Sequence, residues 1–146
     1  YSEEGISFLK KIAKIIKKNS GGMLLIDYGY TSKKMINTLQ AVSNHKFANI
    51  LENIGNIDIT HKLNFYFLKK VIKKIGGLKN NLTTQKKFLI KMGIKERAEI
   101  ISKKQNFLQK ANTYYRLKRL INEKEMGNLF KFMLIQNKGN NFKVGF

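Results

Sequence analysis

The sequence predicts an α/β fold with a short, mainly parallel sheet, and three observations predict it. An amphipathic helix stops at a double glycine and passes directly into a short apolar strand, the αβ step of a parallel sheet. That strand, residues 23–26, is apolar on both faces, as a strand inside a parallel sheet is. Two further strand-like runs, 78–84 and 129–135, are separated by helical patterns. The order is α-β-loop-α-β-α-α-β in 146 residues, a length that suits one domain.

The first helix, 6–18, places Phe8, Leu9, Ile12, Ile15 and Ile16 on one face of a 3.6-residue period. Lys10, Lys11, Lys14, Lys17 and Lys18 take the other faces, and the last of them suit the negative end of the helix. Asn19-Ser20-Gly21-Gly22 ends it. The strand that follows stops at Asp27-Tyr28-Gly29. Ligands of open α/β sheets bind outside the carboxyl ends of the strands, so these three residues form a candidate site edge.

Residues 30–36 read as polar loop and 38–42 as an edge strand or extended loop. Residues 45–51 suit a helical turn or two with Phe47, Ile50 and Leu51 inward, and 52–60 suit a loop. Asn64 is expected to cap a helix reaching Ile75, with Phe67, Leu68, Val71, Ile72 and Ile75 inward and Gly76-Gly77 as its stop. The second strand, 78–84, is weakened by Asn80 and Asn81. A short helix, 88–92, stops at Gly93. Residues 94–121 are helical with a break near Asn106, keeping one apolar face of Ile94, Ala98, Ile101, Leu108, Ala111 and Tyr115. Asn122 caps a last turn, 123–127, before the third strand, and 138–146 is a tail whose Phe142, Val144 and Phe146 ask for a cover.

A central strand needs a neighbour on each side. The third strand can supply one for residues 23–26, and nothing in this chain obviously supplies the other. The expectation is therefore a missing N-terminal half, and a start at Tyr1 rather than Met fits a processed or partial chain.

Lys and Arg number 29 against nine Asp and Glu, for a net charge of +20. Such an excess can mark a polyanion partner. Yet only Arg97, Arg116 and Arg119 are arginines, and the lysines are spread without a dense block. Arginine is the residue that reads guanine and phosphate bidentately, so a solvated lysine surface is favoured over nucleic-acid binding. The absence of cysteine excludes disulfides, thiolate catalysis and sulfur-ligated metals. No run approaches the ~20 apolar residues of a membrane helix. His45 and His61 lack metal-ligand spacing, and no nucleophile elbow, P-loop or dinucleotide fingerprint is present. His45 reads as a loop-packing residue.

Two acids stand out. Asp27 either holds a cationic substrate group or accepts backbone N–H bonds in its turn. Asp58, with Thr60, either pins its loop or faces a cleft, and the pinning role is favoured. Tyr28 and Tyr30 line a pocket or close the core edge.

Taken in order, GMLLIDYGY at 22–30, TLQAVSNHKF at 38–47, LENIGNIDIT at 51–60, TQKKFLIKMGI at 84–94 and MGNLFKFMLI at 126–135 resemble the C-terminal half of the MidA-like family of class I S-adenosylmethionine-dependent methyltransferases. The resemblance covers nearly the whole chain. It implies three strands of a Rossmann-like seven-stranded sheet: the fifth at 23–28, the sixth at 78–84 and the seventh, antiparallel, at 129–135, with a helical insertion before the last. Residues 1–137 would be the C-terminal part of one methyltransferase domain and 138–146 a tail. The resemblance puts Asp27, Tyr28 and Gly29 at the rim of the catalytic cleft and Asp58 and Thr60 on a substrate-cleft loop. S-adenosyl-L-methionine would be bound mainly by the absent half, with no cofactor-binding or metal-binding residue here.

The family implies methylation of a protein arginine linked to respiratory complex I assembly, with a protein substrate, a complex I core subunit among the candidates. The compartment would be the bacterial cytoplasm, or else the mitochondrial matrix. Two departures stand out. Ile54-Gly55 occupies the place of the family's Pro-Gly, and Asp58-Ile59-Thr60-His61-Lys62 displaces the family's histidine by one position, so no histidine role passes to His61 or Lys62. The alternatives are a non-enzymatic basic module for RNA or ribosome contact, and a degraded gene product without function.

Overall fold

A computed structural model describes residues 2–44 and 46–146; His45 lies outside the described residues. Helix α1 (Glu3–Asn19) starts where the Ser2 hydroxyl accepts the Gly5 N–H at 3.0 Å, and it ends on Ser20 in the left-handed conformation. Leu9, Ala13 and Ile16 are its buried face, whereas Phe8 and Ile15, expected beside them, are exposed. Strand β1 (Gly22–Tyr30) outruns its predicted end and carries Asp27, Tyr28 and Gly29 within the strand rather than in a turn.

Three short strands follow: β2 (Gln40–Ser43), β3 (Lys46–Ala48) and β4 (Asp58–Thr60) form a small antiparallel sheet in the order β3-β2-β4. The helical turn expected at 45–51 and the loop expected through Thr60 are therefore corrected at β3 and β4. Both strands are three residues long and mostly exposed, so they show no hydrophobic period; pairing to β2, whose Ala41 is buried, orders them.

Strand β5 (Leu63–Asn64) pairs in parallel with the end of β1, Leu63 opposite Gly29 and Asn64 opposite Tyr30. Asn64 then caps α2 (Phe65–Ile75), accepting the N–H groups of Tyr66 at 3.0 Å and Phe67 at 3.3 Å. Strand β6 (Leu78–Thr84) has its predicted bounds. Helices α3 (Gln85–Lys91), α4 (Ile94–Ser102), α5 (Phe107–Ile121) and α6 (Met126–Leu129) lead to β7 (Phe130–Asn137). The break before α5 falls as expected, at Asn106, which forms a capping box with Gln109. The expected turn after Asn122 is present: the Asn122 side chain accepts the Lys124 N–H, its carbonyl accepts the Glu125 N–H at 3.1 Å and the Gly127 N–H at 2.9 Å, and α6 continues from that turn.

The main sheet runs β5-β1-β7-β6, with β7 antiparallel to both β1 and β6. The three predicted strands are present, and the two-residue β5 makes a fourth. Helices α1 and α2 cover one face through a core of Leu9, Ala13, Ile16, Phe65, Ile72, Leu78, Met133 and Ile135. On the other face Phe88 of α3 stacks on Phe132 with centroids 4.4 Å apart, and Phe146 meets Phe88 edge-on at 5.4 Å. The tail thus gains cover at Phe146, while Phe142 and Val144 stay exposed.

Helix α5 departs most from expectation. Leu108, Ala111 and Tyr115 face solvent, and Thr113, Leu117 and Leu120 turn toward α4. The four residues between α4 and α5 reset the helical phase, so an apolar face continuous with α4 in sequence is not continuous in space.

Candidate functional site

The candidate site is built on the second half of β1. Side chains alternate along a strand, so Met23, Leu25 and Asp27 share the face toward α1 and α2, and Leu24, Ile26 and Tyr28 share the other. Register with β7 sets Leu24 against Leu134, Ile26 against Phe132, Asp27 against Lys131 and Tyr28 against Phe130. Tyr28 packs on Phe130 with ring centroids 4.2 Å apart. Leu24, Ile26 and Tyr28 nevertheless remain 45%, 46% and 44% exposed. On the edge away from β7, β5 pairs only with Gly29 and Tyr30; among the described residues no strand pairs with 22–28 there.

Asp27 is exposed, and its Oδ1 accepts the Tyr28 N–H at 2.7 Å. The backbone-accepting role is therefore present on one oxygen. No ion pair engages Asp27 among the described residues, where Lys86–Glu123 at 2.6 Å is the single ion pair. Gly29 is buried for a packing reason. A Cβ there would meet the Phe65 ring at 2.4 Å and the Leu63 carbonyl at 2.7 Å, so only glycine lets β5 and α2 close on β1. Asp58 and Thr60 are exposed on β4, in the other sheet. Asp58 sits opposite Val42, and the Thr60 hydroxyl accepts a bond from Gln40 Nε2 at 3.1 Å. The structure thus gathers Asp27, Tyr28 and Gly29 on one strand and leaves Asp58 and Thr60 on a separate sheet. That sheet is tied to the β1 end through Thr38, whose hydroxyl accepts the Lys62 N–H at 2.9 Å.

A largely apolar hollow of about 440 Å³ opens beside the first half of β1, lined in part by Leu9, Met23, Leu25, Met35, Leu63 and Phe67; Asp27, Tyr28 and Gly29 do not line it. Asn64 holds its rim, donating from Nδ2 to the Ser32 carbonyl at 3.1 Å while its oxygen caps α2.

Sequence reasoning missed Lys131. It faces Asp27 across the sheet, and its amine donates to the Asn128 carbonyl. Burial, and then the nearby charge of Lys62, pull its pKa below the usual lysine range. The available signal was a lone lysine inside the apolar run LFKFMLI.

Known proteins share this fold. A family model described as "putative S-adenosyl-L-methionine-dependent methyltransferase" matches residues 1–84, more than half of the chain. The mitochondrial protein arginine methyltransferase NDUFAF7 of Danio rerio is 28% identical over 140 residues, covering 93% of this chain and 32% of that protein. The Caenorhabditis elegans homolog is 30% identical over 96 residues, 66% of this chain and 22% of its own length. The chain therefore spans about a third or less of the curated relatives it matches. An uncharacterized protein from Burkholderia thailandensis, 24% identical, superposes with a TM-score of 0.78 over 99% of this chain and 40% of its own. A structure from the same organism with S-adenosyl-homocysteine bound, also 24% identical, superposes with a TM-score of 0.77 over 97% of this chain and 38% of its own. The fold is shared with these structures, and by the family match over residues 1–84 the chain belongs to the S-adenosyl-L-methionine-dependent methyltransferases of that family.

Proposed function

We propose that this chain is the C-terminal part of a methyltransferase acting on a protein arginine, and that β1 is the seam where the rest of the enzyme attaches. The observation that carries this reading is the bare edge and face of β1 beside a β7 that is buried from Phe132 to Gln136. A strand with apolar residues on both faces and one edge unpaired is an aggregation hazard unless another segment covers it.

The family's cofactor is S-adenosyl-L-methionine, and the described residues do not fit it as a holder. A nucleoside with a carboxylate tail asks for a glycine-bearing turn whose N–H groups are free at a helix start. The two strand-to-helix junctions here, Asn64–Phe65 and Thr84–Gln85, contain no glycine, and the Asn64 and Thr84 side chains already cap the helix amides. Cofactor binding is thus assigned to residues beyond this chain, and no step of the transfer is derived from it.

What this chain supplies is an acceptor wall. An arginine acceptor needs a carboxylate to hold the guanidinium by charge-assisted hydrogen bonds. Asp27 is exposed at the strand end, forms no ion pair among the described residues, and is fixed by the Tyr28 N–H. Tyr28 and Gly29 shape the same rim; Asp58 and Thr60 are kept as a more distant part of the substrate side. The relatives' names, which say arginine methyltransferase and mitochondrial, support an arginine acceptor and the mitochondrial alternative for the compartment. A role in complex I assembly, with a core subunit as substrate, belongs to the same proposal. No helix among the described residues is long and apolar enough to cross a membrane.

In the full-length protein, Asp27→Asn should lower arginine methylation by about 100-fold or more, on the scale of a lost charge-assisted contact in the transition state. S-adenosylmethionine affinity should change little. Unchanged turnover would remove Asp27 from the site.

A further inference from the structure

Only three of the 29 cationic residues are arginines, and all three sit on one helix pair: Arg97 on α4, Arg116 and Arg119 on α5. Arg97 and Arg116 come together at a groove of about 330 Å³ lined by the two helices. The rest of its lining is mostly aliphatic, with Ala98 and Ile101 from α4 and Leu117 and Leu120 from α5. The lining spans residues 94–101 and 113–120, about 10 Å or two helical turns of each helix. Gln105 lines it too, and its side-chain oxygen accepts the Thr113 hydroxyl at 2.8 Å, which leaves its amide N–H groups as donors.

The charge here is uncompensated. Helix α5 holds Lys110, Arg116, Lys118 and Arg119 and no acid. Helix α4 holds Glu96 and Glu99, but Glu96 adjoins Arg97 in sequence and so points elsewhere, and Glu99 is spaced toward Lys95 and Lys103. Lys86–Glu123 is the single ion pair among the described residues, so neither groove arginine has a carboxylate partner there. None of the 15 residues of α5 is buried, and Leu108 and Tyr115 stand 72% and 65% exposed. Exposed apolar side chains beside bare arginines mark a contact surface.

We infer that the α4–α5 groove docks a partner protein through an acidic amphipathic helix of about two turns. Aliphatic side chains of that helix lie against Ile101 and Leu117, and its carboxylates take Arg97 and Arg116 by charge-assisted, bidentate bonds. A nucleic-acid strand fits less well: no aromatic ring among the described residues lines the groove for a base to stack on. A second copy of this chain, with nine acids against 29 cations, also fits less well. Asp27, Tyr28, Gly29, Asp58 and Thr60 do not line the groove, so docking there is independent of how Asp27 acts.

The test titrates the full-length protein into a fluorescein-labelled helical peptide with leucines on one face and glutamates beside them, read by anisotropy. Binding should be micromolar. A peptide of the same charge with serine in place of leucine should bind about tenfold more weakly, a comparison that needs no protein variant. Arg97→Gln with Arg116→Gln should weaken the leucine peptide about tenfold or more. Lys11→Gln with Lys14→Gln, the same charge loss on exposed positions of α1, should weaken it less than about twofold. No binding of the leucine peptide, equal binding of the serine peptide, or equal losses for the two variant pairs overturns the inference. A single-stranded RNA that binds more tightly than the peptide, with the same dependence on Arg97 and Arg116, assigns the groove to nucleic acid and overturns it as well.

Discussion

β1 and β7 lie side by side with similar apolar content, yet they live in different surroundings. β7 is buried from Phe132 to Gln136, on both faces, with β1 on one edge and β6 on the other. β1 is covered on the α1–α2 face only, leaves Leu24, Ile26 and Tyr28 about half exposed, and is paired on its outer edge for just two residues. The two sequences ask for the same burial and only one receives it. The difference teaches that the apolar pattern of a strand records the surroundings it is built for, which need not lie within the chain.

Substitutions along the two strands should separate them. The largest effect belongs to Met133→Ala, which empties a fully buried position of β7 and should cost about 2–5 kcal/mol in a denaturant titration. Gly29→Ala comes next. Its methyl would strike the Phe65 ring and the Leu63 carbonyl at the one point where β1 is paired on its outer side, at about 1–3 kcal/mol. Asn64→Ala removes the α2 cap and the bond to Ser32, and should lower stability by about 1–2 kcal/mol. Leu24→Ala should be smallest in this chain, below about 1 kcal/mol, because nearly half of its surface is already in water. The same change in the full-length protein should rise toward the buried-leucine range of about 2–5 kcal/mol. Equal costs for Leu24→Ala in the two settings would erase the contrast between the strands.

Much of this was legible in sequence wherever local chemistry and periodicity agree. β6 has its predicted bounds because a double glycine precedes it and Thr84 caps the next helix. The Asn64 cap, the helix break at Asn106 and the antiparallel seventh strand implied by the family resemblance are present as expected. The small sheet was not legible, since β3 and β4 are too short and exposed to carry a period. The orientation of α5 was lost because residues 103–106 reset its phase, leaving Phe107 and Leu108 exposed at 83% and 72%. At the site, Asp27 was visible as the acid closing an apolar run. Lys131 was not, because its place opposite Asp27 depends on a strand register set by residues more than 100 positions apart.

The most direct test of the seam is calorimetric titration of S-adenosylmethionine into the 146-residue chain and, in parallel, into the full-length protein. The account predicts binding by the full-length protein and no detectable binding by the chain alone. Micromolar binding by residues 1–146 would contradict it.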